Sequence, residues 1–133
     1  MDAFEQLLKV SFDPDNLSVG SDDGLVDNCL FEYSAGIGPQ WYIGGIDAHN
    51  AHGWTVRNSV FRNIRSPQRR LAEHAIHFWS GSSGTLVENN RITNSDRGIG
   101  FGLGELGHGA GIIRNNMIHT VRDVGSGLES AGP

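Results

Sequence analysis

One phrase is written four times along this chain: Val26-Asp27-Asn28-Cys29-Leu30-Phe31, Val56-Arg57-Asn58-Ser59-Val60-Phe61, Val87-Glu88-Asn89-Asn90-Arg91-Ile92 and Ile113-Arg114-Asn115-Asn116-Met117-Ile118. An apolar residue is followed two positions on by Asn, and three further by a second apolar residue, at intervals of 30, 31 and 26 residues. Self-similarity at such a period marks an architecture of stacked repeats, in which each unit buries its apolar face only against its neighbours. Between the phrases lies a second element, a small residue followed by an aliphatic one: Gly45-Ile46, Ala75-Ile76, Gly98-Ile99 and Gly127-Leu128. The order is therefore strand, turn, Asn phrase, turn, and the expectation is an all-β, right-handed parallel β-helix of about four coils, each ~4.8 Å above the last.

That register can be checked within the sequence. Stacking places Val26, Val56, Val87 and Ile113 in one interior column and Phe31, Phe61, Ile92 and Ile118 in another. Asn28, Asn58, Asn89 and Asn115 then fall at a bend, where Asn tolerates left-handed backbone and can bond the Asn above and below. The neighbouring outward column reads Asp27, Arg57, Glu88, Arg114, and Glu32 falls beside Arg62. Opposite charges on successive rungs attract and like ones repel, so this alternation supports a register chosen from the apolar residues alone.

The lead-in, residues 1–24, carries Ala3, Phe4, Leu7 and Leu8 at helical spacing, which predicts a short amphipathic helix capping one end of the repeats at 25–133. A first small-aliphatic strand is placed at Ala35-Gly36-Ile37. The 19 glycines of this 133-residue chain, well above a usual share of about 7%, lie between apolar runs and suit tight turns. A net charge of −5 argues against a nucleic-acid partner, and no apolar run approaches the ~18 residues of a membrane helix. Cys29 is alone, so it has no disulfide partner within the chain, and the compartment stays open.

The Asn phrases resemble those of the right-handed parallel β-helix superfamily that includes pectate lyases, alginate lyases and epimerases, and polygalacturonases. Glu73-His74-Ala75-Ile76-His77-Phe78-Trp79 and Asp96-Arg97-Gly98-Ile99-Gly100-Phe101-Gly102 further resemble bacterial β-helix repeat proteins taken to act on polysaccharides. The resemblance implies a polysaccharide partner and lyase-type chemistry, with calcium in some members. It is specific for fold and poor for function, since the superfamily also holds binding and structural members. The acidic calcium cluster of the pectate lyases and the clustered Asp pairs of the polygalacturonases are not recognisable, so no metal or other cofactor is assigned. Four coils are few for that superfamily, and no capping sequence follows Gly127-Leu128-Glu129-Ser130-Ala131-Gly132-Pro133. The expectation is a fragment of a longer parent, or a chain that self-associates through open solenoid ends as a homo-oligomer.

With Ile46, Ile76, Ile99 and Leu128 inward, alternation turns Asp47, His77, Gly100 and Glu129 outward in one column, flanked by His49, Trp79 and Gly102. On this face a sugar would lie over Gly100 and Gly102 and stack on Trp79, with Glu129 among the groups that bind it. For elimination on an acidic glycan His77 is the base, Asp47 orients it, Arg97 neutralises the substrate carboxylate and His49 donates the proton. A two-carboxylate glycosidase would need Asp47 and Glu129, but three rungs put them about 14 Å apart, beyond the ~6.5–9.5 Å range for such pairs. His49-x-x-His52 and Glu73-His74-x-x-His77 offer metal-ligand types, yet residues three apart on a strand face opposite ways. The Gly98–Gly104 run lacks the spacing and following helix of a nucleotide loop, and the basic stretch from Arg65 to Arg70 suits a solvated loop. Trp41, Tyr42, Glu105 and His108 sit in long loops, where function tends to concentrate.

Two functions remain open on these residues. One is a carbohydrate-active protein of lyase or epimerase type. The other is a non-catalytic β-helix module that binds or self-associates.

Overall fold

A computed structural model describes residues 2–120 and the backbone of residues 128–130. It is an all-β parallel solenoid of about three turns. The four Asn phrases bound three complete turns, which is why the expected four coils come out as about three. One sheet runs through Leu8–Val10 (β1), Ile46–Ala48 (β4), His74–Trp79 (β7), Arg97–Gly102 (β11) and Leu128–Ser130 (β15), numbered in chain order. A second contains Leu25–Asp27 (β2), Thr55–Arg57 (β5), Leu86–Glu88 (β9) and Ile112–Arg114 (β13). A third contains Leu30–Glu32 (β3), Val60–Arg62 (β6), Arg91–Ser95 (β10) and Met117–Thr120 (β14), and a short ladder joins Ser82–Ser83 (β8) to His108–Gly109 (β12).

The interior columns stand as the sequence pattern places them. Val26 pairs Val56, Val56 pairs Val87 and Val87 pairs Ile113, while Phe31, Phe61, Ile92 and Ile118 stack in order. Val56, Val87, Phe61 and Ile92 are fully buried, and the Phe31 and Phe61 rings lie 4.7 Å apart and nearly parallel. Asn28, Asn58, Asn89 and Asn115 all take the left-handed backbone, at φ 55°, 51°, 55° and 56°. Arg57 meets Asp27, Arg62 meets Glu32 and Arg114 meets Glu88, so the charge alternation is real pairing.

The side-chain ladder, however, runs one residue further along than expected. The Cys29 N–H donates to Ser59 Oγ, the Ser59 N–H to Asn90 Oδ1 and the Asn90 N–H to Asn116 Oδ1, at 3.0–3.1 Å. The residue after each left-handed Asn is thus the one that takes part in the backbone-bonding ladder between rungs. Asn58 instead donates to Asp27 Oδ1.

Two expectations about the beginning of the chain fail for one reason. Among the described residues there is no helix. Leu8–Val10 is a strand paired with β4, and the Leu7 and Leu8 N–H groups reach the Gly44 and Gly45 carbonyls. Isolated helices of this length are marginal, and an open sheet edge offers the same backbone groups ready partners. β1 therefore takes the first-sheet place expected of Ala35-Gly36-Ile37, which forms a turn with Gly36 at φ 84°.

Candidate functional site

The first sheet carries the polar column, and its register matches the sequence reading. Asp47 pairs His77, His77 pairs Gly100, Gly100 pairs Glu129, and Trp79 pairs Gly102. Lys9, which the sequence reading did not include, heads the column opposite Asp47. Asp47 and Glu129 lie three rungs apart. Only the backbone of Glu129 is described.

The column is closed over. Asp47 is 3% exposed and His77 1%. Trp79 stacks on two imidazoles: its ring is 4.0 Å from His77 and 5.3 Å from His49, at 24° and 7°. Phe12 extends the stack beyond His49. The indole that was to carry a sugar is thus already stacked against two imidazoles. Its Nε1–H donates to Asp47 Oδ1, while Lys9 Nζ bonds Asp47 Oδ2 and His49 Nε2 lies 3.1 Å from Oδ1. Burial pushes the Asp47 carboxyl up, but the hydrogen bonds from His49 and Lys9 outweigh it and hold it below its ordinary value.

Asp47 is consequently occupied with Lys9, His49 and Trp79. The carboxylate beside His77 is that of Glu73, with Oε2 3.5 Å from His77 Nδ1 and 3.8 Å from His74 Nδ1. His74 and His77 lie on the same side of the sheet, their ring centroids 4.4 Å apart and both side chains buried. Strict alternation forbids that, so the chain must bend as it enters β7. The Glu73 N–H donates to the Ile43 carbonyl and the Gly45 N–H to the His74 carbonyl. Glycines on both adjacent rungs make room: a Cβ at Gly45 would overlap the Ala75 carbonyl oxygen, and one at Gly100 would lie 2.8 Å from His74 Nε2. The space at Gly100 that the sequence suggested for a sugar is filled by the His74 ring.

Burial holds the His77 imidazole below its ordinary value, with Glu73 pulling the other way. Glu73 is held well below the usual carboxylate range by hydrogen bonding from His74 and His77. His77 Nε2 lies 3.3 Å from the Gly102 carbonyl oxygen. A carbonyl only accepts, so the contact is made when Nε2 carries a proton, while Nδ1 is the nitrogen that faces Glu73.

Arg97 is the register partner of His74, on β11, and is half-buried. Gly102 lines the same rung as Trp79. In the loops, Arg70 lies over the Trp41 ring at 3.4 Å and Tyr42 meets Trp41 edge-on, so these residues brace one another. His108 packs on Phe101 and bonds Thr85. No helix among the described residues is long and apolar enough to cross a membrane. No protein-family model, curated protein or solved structure matches this chain.

Proposed function

We propose that this chain works as a non-catalytic β-solenoid module that associates through its edge strands, and that its polar column is structural. The observation that carries this reading is the closure of the column. A base acting on a sugar must approach the carbon it deprotonates within hydrogen-bond reach, and His77 is 1% exposed with Nε2 on Gly102 and Trp79 across its ring. The rival is the acidic-polysaccharide lyase or epimerase suggested by the likeness to the pectate-lyase-type superfamily. It would require Trp79 to swing away from His49, His77 and Asp47 together.

The edges favour association. At the β13–β14 edge Ile112 is 51% and Met117 45% exposed, and Ile113 and Ile118 are half-buried where their equivalents one rung below are fully buried. Apolar edge strands with unpaired backbone groups template further strands. The occupant we assign is a second copy. Its β2–β3 edge would set Val26 over Ile113, Phe31 over Ile118 and Asp27 against Arg114, continuing each column by one rung. In the first sheet β15 would hold the place that β1 of the incoming copy holds alone.

Sedimentation and absorbance near 235 nm on a panel of polyuronates test the two readings together. The expected outcome is a concentration-dependent oligomer that Ile112→Lys or Met117→Lys reduces to monomer with an unchanged circular-dichroism spectrum, and no unsaturated product. A monomer at high concentration refutes the association, and elimination activity abolished by His77→Ala refutes the non-catalytic reading.

A further inference from the structure

We propose that Glu73, His74 and His77 form a binding site for a zinc-class divalent transition metal. The ligand atoms these residues offer all lie within 4.8 Å of one another. Ligands ~2.0–2.1 Å from one tetrahedral ion are separated from each other by about 3.4 Å. The Glu73 Oε2 separations of 3.5 Å from His77 Nδ1 and 3.8 Å from His74 Nδ1 approach that figure.

The buried ring nitrogen of His77 supplies the second argument. Nε2 lies against the Gly102 carbonyl, and the buried Nδ1 has no partner at hydrogen-bond geometry. The group it faces is Glu73 Oε2, at 3.5 Å, longer than the ~2.7–2.9 Å of a charge-assisted N–H···O bond. A buried polar atom left without a partner is costly, and a metal ion held between the groups accounts for the spacing and for the unpartnered nitrogen at once. The Nε2–H bond to a carbonyl is also the outer contact that orients a metal-binding imidazole.

The donor set chooses the metal. Two imidazoles and one carboxylate suit zinc, cobalt or nickel, whereas calcium and magnesium take oxygen ligands almost exclusively. Calcium, the metal suggested by resemblance, does not fit these residues. Three protein ligands leave a fourth position for water.

The test uses the full chain, freed of metal by dialysis against chelator, with Zn2+ alone in titration calorimetry and Co2+ alone in visible absorption. The expected result is one ion per chain, the intense d–d bands of a tetrahedral cobalt site, and a rise in Tm with Zn2+. Glu73→Gln, which keeps volume at a half-buried position, and His77→Ala should each weaken binding by about tenfold or more. His119→Ala, an exposed histidine on β14, should leave it unchanged. Should His77→Ala fail to fold, Glu73→Gln alone decides. Wild-type affinity no tighter than that of Glu73→Gln, or an octahedral cobalt spectrum, would overturn the site. None of these readouts depends on self-association or on polysaccharide activity.

Discussion

Replacing Asn90 by Leu should cost the fold about 2 kcal/mol. Asn90 is 3% exposed and its side chain makes three hydrogen bonds inside the stack. Oδ1 accepts from the Ser59 N–H at 3.1 Å, and Nδ2 donates to the Val56 carbonyl and to Asn116 Oδ1, each at 3.0 Å. Leucine has similar volume and none of these bonds. It strands the buried Ser59 N–H outright and removes one bond from the Val56 carbonyl, a loss of ~2–4 kcal/mol. Burying the leucine methyls returns ~1 kcal/mol or more. In a domain of this size the net change lowers Tm by about 8 °C, read by urea and thermal unfolding against Arg91→Ala, an exposed neighbour. Asn90→Asp gives a sharper signature. It keeps the acceptor for Ser59 but sets a second oxygen against the Val56 carbonyl and Asn116 Oδ1, so the folded state favours the protonated acid. The raised acid makes the folded Asp variant bind one more proton than the parent as pH falls, so it must gain stability relative to the parent in acid, whereas the Leu variant must not. A Leu variant within 0.5 kcal/mol of the parent (about the scatter of neutral surface changes), or an Asp variant with no recovery in acid, would show that the ladder contributes nothing.

Three further outcomes follow from the same geometry. Asn58 sits at φ 51°, so Asn58→Ala should be less stable than Asn58→Gly by ~1 kcal/mol in the same urea assay: both lose the bond to Asp27, and only Ala strains the left-handed backbone. Burial, with the nearby His52, holds His108 below its ordinary 6.5; the unfolded chain takes up that proton first, so stability present above pH 6.5 is lost as pH falls from there through the lower folded value, and His108→Gln should flatten that part of a urea-midpoint profile. Asp47→Ala leaves Lys9, His49 and Trp79 without their shared acceptor and should cost ~1–3 kcal/mol in chemical denaturation, discounted for the exposure of Lys9; an unaltered midpoint would contradict a structural role.

What the sequence made legible, and what it hid, divides along the repeat. Stacked columns are a period-two, rung-to-rung property, so Val26 through Ile113 and Asp47 through Glu129 could be assigned by counting. The same counting rejected Glu73-His74-x-x-His77 as a ligand set, because alternation places residues three apart on opposite faces. That rule holds inside a strand and lapses where one begins. Glu73 and His74 lie at the entry to β7, where the backbone bonds to Ile43 and Gly45, and the ring of His74 needs the missing Cβ of Gly100 on the next rung. The signal was present as a glycine directly in register with His77, but it read as room for a ligand. Whether such a gap is vacant depends on side chains that arrive from off-register positions. Closure of the face by Trp79 was hidden for a similar reason: an outward aromatic on a strand can stand into solvent or fold along its own column, and two flanking imidazoles with a carboxylate for its N–H favour the second. Glycine opposite histidine in a solenoid column is therefore better read as packing space for a neighbouring ring until the strand ends have been placed.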